Sequence, residues 1–253
     1  MRIRKHLFLV VAILAAFFVI LYLPWGYIET PIPEKQHIAT STTASTISTK
    51  KISLVRPYPA LHTILPFKMT MTTVFWVGEP SDADNDYISN IASYWDEHWM
   101  SHYGGLDDPR CRTSYRPCTF IPKENPFYVA LPYGEYDDRG LKASAKKVPW
   151  FGRDALPLLK NRWVAVRYGG KTCYGQWEDV GPNNEDDFAY VFGPAFPSNT
   201  FGERAGLDIS PALWNCLGLL DNATTSWAFV EPTEVPDGPW KDIVTISGTS
   251  WDN

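Results

Sequence analysis

The chain has 253 residues, 45% apolar and 15% aromatic, with a formal charge of −5. That composition suits one substantial hydrophobic core and excludes a disordered chain. The 23 basic residues include Arg2, Arg4 and Lys5, so beyond residue 28 the balance is 20 basic against 28 acidic, about −8. Such a surface repels phosphate backbones and excludes nucleic acid as a partner.

In chain order, Leu7 to Leu23 is an uncharged run of 17 residues behind the basic cluster. It lies at the lower end of the length for a spanning helix and is long for a signal-peptide core. The following PWGYIETPIPEK offers neither a small-x-small cleavage site nor a lipidation cysteine. Residues 1–28 therefore read as an uncleaved membrane anchor with a cytoplasmic N-terminus. A cleaved signal peptide is the other reading, and either one exports the remainder to the periplasm or outside the cell. Residues 29–68, Ser/Thr-rich over 29–52, form a linker.

The folded domain is expected over 69–235, opening with the strand MTMTTVFWV at Met69. Ile88, Ile91, Trp95 and Trp99 recur at helical spacing and predict an amphipathic helix ended by Gly104-Gly105. His98 and His102 lie one turn apart, the spacing at which two imidazoles share a metal. HWMSH lacks the glutamate of a zincin helix and no third ligand follows, so no metal is expected, and no cofactor. In an exported chain the four cysteines are disulfide candidates. Cys111 and Cys118 would close a tight loop over RTSYRP, and Cys173 and Cys216 would tie a strand to a helix. Four cysteines allow three pairings, and free thiols also remain open.

Short strands dominate the rest. NPFYVALPYGE reads as a strand, and NRWVAVRYGGKTCYGQWEDVGP as two strands around a Gly169-Gly170 turn. SPALWNCLG predicts a helix with Ser210 as cap, Pro211 in the first turn and Gly218 at the end. SWAFVEPTEV supplies a late strand, and 236–253 a tail. The fold class is mainly β with short helices, most simply a small closed barrel. Asn222-Ala-Thr224 is a glycosylation sequon, relevant in a eukaryotic source.

Several of these segments, in this order, resemble the double-psi β-barrel of expansins and rare-lipoprotein-A proteins. GGKTCYGQWEDVGP is similar to the family's strand, turn and acidic pair before Gly-Pro. Leu207-Asp208-Ile209-Ser210-Pro211 with ALWNCLGL matches its Leu-Asp-Leu-Ser and short helix. ALPYG, TTVFWVG and SWAFV resemble further family strands. The likeness spans roughly 70–235, with an insertion at about 79–122, and implies a six-stranded double-psi barrel. The rare-lipoprotein-A branch carries a histidine three residues before its Leu-Pro, where this chain has Tyr128. The second, carbohydrate-binding domain of expansins has no counterpart.

The resemblance implies a protein acting on cell-wall glycan, with peptidoglycan the expected partner and a lytic transglycosylase-like acid/base reaction. The alternative is a non-catalytic, expansin-like polysaccharide-binding or wall-loosening module. Asp208 is the expected proton donor and Asp179 its partner, with Glu178 and Tyr128 in support. Asp208 lies just before a helix start, where the dipole favours the charged carboxylate, whereas a general acid needs a raised pKa. Tyr174, Trp177 and Tyr190 are the expected sugar-stacking aromatics.

Overall fold

The computed structural model describes residues 61–83 and 85–247. The expected anchor, most of the linker and the last residues of the tail lie outside the described residues.

Six strands close into a barrel: β1 (Lys68–Val74), β4 (Tyr128–Leu131), β7 (Trp163–Tyr168), β8 (Lys171–Val180), β9 (Leu207–Ile209) and β10 (Ala223–Phe229). Their order around the barrel is β1-β10-β7-β8-β4-β9. Two pairs, β1 with β9 and β4 with β8, are parallel; the others are antiparallel. Closure leaves no exposed sheet edge. Two-stranded ribbons lie outside the barrel, β2 (Arg112–Thr113) with β3 (Arg116–Pro117) and β5 (Tyr136–Asp137) with β6 (Gly140–Leu141).

The expected hairpin is present, with Tyr168 opposite Lys171 and positive φ at Gly169 and Gly170. Two glycines allow that turn because neither has a Cβ to clash in the left-handed region. The expected late helix is Pro211–Leu217. Ser210 Oγ accepts from Leu213 N at 3.2 Å, and Gly218 ends it at φ 75°. Both disulfides join the expected pairs, Cys111–Cys118 and Cys173–Cys216, the second tying β8 to that helix.

The core follows the period-2 alternation of the strands. Val129 and Leu131 of β4 point into the barrel, where Trp177, Trp227 and Phe229 also pack. Tyr128 and Ala130 point outward, into a second cluster with Phe75, Val77, Trp99 and Tyr103. The 75–120 excursion covers that outer face, so all four β4 residues are buried. The chain on either side of the expected domain also joins the packing. Ile64 N donates to Phe229 O at 2.9 Å, and Trp240 lies 5.0 Å from the Tyr174 ring.

The long amphipathic helix does not form. Only Trp99–Tyr103 is helical, and Asp86 and Tyr87 have positive φ. Tertiary partners take the backbone groups a helix would need. Gly78 N donates to Asn90 O at 2.7 Å, and Tyr94 N donates to Asp179 Oδ1 at 2.8 Å. Ile88 and Ile91 are exposed, while Trp95 turns down onto Trp177. Apolar spacing alone could not reveal that competition. No helix among the described residues is long and apolar enough to cross a membrane.

Candidate functional site

Strand register gathers the two expected acids. Ala130 of β4 is the partner of Asp208 on β9 and, on its other side, of Asp179 on β8. Asp208 is in turn the partner of Thr73 on β1. Thr73, Asp208, Ala130 and Asp179 thus form one row across four neighbouring strands. Leu207 and Ile209 bury in the barrel core, so alternation sends the Asp208 side chain between them to the outer face.

A β-bulge decides which acid of the Glu178-Asp179 pair joins that row. Val129 pairs with Trp177, but Ala130 pairs with Asp179, which leaves Glu178 without a partner on β4. The extra residue re-aims the side chains after it. Glu178 turns into a buried ion pair, its Oε2 accepting from Lys160 Nζ at 2.9 Å. Burial pushes Glu178 up to about 7 against the opposing charge of Lys160. It braces that site and does not line the groove.

The row floors a groove of about 570 Å³, roofed by the loop after β1 and bordered by the turn after β8. Thr73 Oγ1 donates to Asp208 Oδ1. A Cβ built on Gly181 would stand 3.6 Å from Asp208 Oδ2, so the Gly181 backbone runs close beside that oxygen. Asp179 Oδ1 accepts from the backbone N–H groups of Tyr94 and Val180, each at 2.8 Å. Across the groove, Glu79 Oε2 accepts from Asn90 Nδ2 at 2.7 Å. Asn183 Nδ2 donates to Asp86 Oδ2 at 2.9 Å and straps the loop to the turn.

Burial dominates all three carboxyls. It lifts Asp208 to about 6 although the Thr73 hydroxyl favours the charged form. It lifts Asp179 to about 7 against the two backbone donors, with the Asp208 charge adding to the rise. Glu79 also rises to about 7 through burial, opposed by its Asn90 hydrogen bond and helped slightly by Asp208. The conflict raised by the helix start is thereby resolved in favour of burial. Ser210 caps the helix, and the Asp208 carboxylate turns to Thr73.

The remaining expected site residues lie elsewhere. Trp177 is 0% exposed and stacks on Phe229 inside the barrel; its Nε1 donates to Asp179 O at 2.7 Å. Tyr174 packs against Trp240, and the buried Tyr190 hydroxyl accepts from Trp227 Nε1 at 2.8 Å. None of the three presents a face for a sugar; Trp177 stays inward opposite Val129, and only the bulge after it turns Asp179 outward opposite Ala130. Phe75, buried, Trp76, half-buried, and Phe201, exposed, are the aromatic residues that do line the groove. Tyr128 is fully buried, donating to Asp107 Oδ2 at 2.8 Å and accepting from Val77 N at 3.0 Å. It supports the outer cluster and not the acids. His102 Nδ1 lies 2.7 Å from Asp96 Oδ2, and among the described residues no group of three His, Cys, Asp or Glu could hold a metal.

Sequence reasoning missed Thr73 and Glu79. Thr73 was legible in principle only as part of an opening strand, since MTMTTVFWV already stood out as one. Glu79 carried no signal, because its arrival depends on the loop's tertiary path. The chain matches no protein-family model and no curated protein.

Proposed function

We propose that the groove binds a cell-wall glycan, with peptidoglycan strands the leading candidate, and cleaves it by acid–base catalysis at Asp179 and Asp208. The observation that carries this is the carboxyl pair placed on either side of Ala130, at the floor of an open groove. Burial raises both acids, Asp179 to about 7 and Asp208 to about 6, and the Asp208 charge adds to the rise at Asp179, so a single proton on the pair suits neutral pH. One protonated and one charged carboxyl is the state that glycoside cleavage needs.

Burial and the Asp208 charge, acting against the two backbone donors on Asp179, favour a different division of labour from the one suggested by the sequence. Asp208 gives up its proton first, with Thr73 as donor to its charged form, so the shared proton rests on Asp179. Asp179 then protonates the glycosidic oxygen as its bond to C1 breaks. The sugar's own C6 hydroxyl oxygen bonds C1, and its proton passes to Asp208. The products are a free hydroxyl on one strand and an anhydro end on the other, and the pair regains its starting state through one proton exchange with water.

Six strands closed with two parallel pairs support membership of the double-psi barrel group of expansins and rare-lipoprotein-A proteins. Two disulfides suit an oxidising compartment and so an exported domain. The test is incubation of the full chain with purified peptidoglycan strands and mass spectrometry of the products. Anhydro ends that appear with the wild type and vanish in Asp208→Asn and Asp179→Asn support cleavage. Binding to the strands without new ends would leave the non-catalytic, wall-loosening reading. Absence of both would remove the glycan assignment.

A further inference from the structure

We infer that the groove selects glycan whose sugars are uncharged or amino-bearing and rejects sugars with free carboxylates, and that Glu79 on the roofing loop sets this selection. The inference rests on the glycan reading above and adds the substrate's charge class, which that reading leaves open.

The lining carries it. Four acids face the groove: Glu79 and Asp86 from the loop after β1, Asp179 from β8 and Asp208 from β9. Four asparagines join them, and among the described residues no Lys, Arg or His contributes to the lining. The 181–183 turn brings no charge. Beyond Gly202 at the rim, Glu203 and Arg204 are both exposed and stand outside the lining. Asparagine amides both donate and accept, so they suit hydroxyl and acetamido groups. A guest carboxylate would find uncharged donors to share and no counter-charge.

Glu79 is the acid placed to exclude it. Asp179 and Asp208 sit at the groove floor, and Asp86 is exposed, where solvent screens it. Glu79 is buried within the wall, and a closed ring of bonds holds it. Its Oε2 accepts from Asn90 Nδ2, Asn90 N donates back to Glu79 O at 3.0 Å, and Gly78 N donates to Asn90 O. A negative charge fixed in that wall repels a like charge several ångströms away, but Glu79 takes up a proton at about 7, which caps its own share at about fourfold at pH 7.5; the Asp179 and Asp208 charges beside it supply the rest of an about tenfold discrimination. Because all three buried carboxyls take up protons on passing below about pH 6–7, the rejection fades in acid.

Peptidoglycan supplies a matched pair of probes. Glycan strands stripped of peptide carry a free lactyl carboxylate on alternate sugars, and capping these as neutral amides changes charge with little change of shape. Binding of fluorescently end-labelled strands to the full chain is measured by anisotropy at pH 7.5 and pH 5. The amide-capped strand is expected to bind at least about tenfold tighter at pH 7.5, and the gap should close to within about threefold at pH 5. The lactyl carboxyl stays charged at pH 5, as an ordinary carboxylate does, so the closing reports the groove and not the probe. Glu79→Gln should shrink the pH 7.5 ratio at least threefold, while Glu203→Gln, outside the lining, should leave it. Equal or tighter binding of the free-acid strand at pH 7.5 overturns the inference and leaves the glycan reading standing. So does a ratio that ignores pH, a result obtained on wild type whether or not the Glu79 variant folds. If neither strand binds at either pH, the glycan reading fails and takes the inference with it.

Discussion

Replacing Thr73 by Val tests the assignment of protons to the acid pair without touching either acid. Valine keeps the branched shape and removes only the hydroxyl that donates to Asp208 Oδ1. A hydrogen bond to a charged group is worth about 1.5–3 kcal/mol, and 1.36 kcal/mol corresponds to one pH unit. Asp208, at about 6 in the wild type, should therefore titrate about one to two pH units higher in the variant. That carries it to or past Asp179, at about 7, and inverts the order of proton release. The assay is a ¹³C carboxyl titration of the full chain labelled at aspartate, with Asp208→Asn identifying the resonance. If the protein cleaves glycan, the acidic limb of its pH profile should move up by the same amount, since Asp208 must be charged to act. An Asp208 that titrates in the ordinary carboxylate range, or fails to move in Thr73→Val, would refute the reasoning.

Folding stability should fall as pH rises from about 4 to about 7. The native state holds protons on Asp179, Asp208 and Glu79 that the unfolded chain has already released, so these groups favour folding below the unfolded pKa and lose that contribution through the folded one. Asp179→Asn should flatten this slope in thermal melts; a slope that is unchanged or steeper counts against the burial account. Chain entropy ranks the disulfides: Cys173→Ala/Cys216→Ala, with a separation of 43 residues, should cost about 4 kcal/mol, and Cys111→Ala/Cys118→Ala, with 7, about 2 kcal/mol in denaturant titrations. Trp177→Ala should cost about 3–5 kcal/mol as a core truncation, whereas Trp76→Ala should reduce glycan binding with a smaller stability loss; the reverse pattern would restore Trp177 to the groove.

Much of the barrel was legible because its signals are local. Gly169-Gly170 marks a turn wherever it occurs, Ser210-Pro211 and Gly218 bracket a helix, and β-branched and aromatic residues mark β7 and β10. Asp179 and Asp208 were legible for the same reason, each sitting in a short motif with strong neighbours. What stayed hidden was decided across the chain. The 87–99 apolar spacing promised a helix until Asp179 and Asn90 took its backbone groups. Trp177 was assigned to a site for its sugar-stacking ring and Tyr128 for its place at the family's histidine, and neither signal says which face of a strand the excursion will cover. Glu79 could be found only from the path of its loop.

The bulge at Glu178 means that position in the alignment and position in space are out of step by one. A related chain lacking that residue would pair Val129 with its tryptophan and Ala130 with the very next residue, bringing the same acid to the groove without a bulge. Its acid at the apparent equivalent of Glu178 would then be the one opposite Ala130. Transferring a role between such chains by counting letters back from Val-Gly-Pro and by counting from Trp177 would name different residues. Only the count from Val-Gly-Pro keeps phase with the groove in this chain, and deleting Glu178 while keeping Asp179 would offer a direct way to learn how many other side chains depend on that single offset.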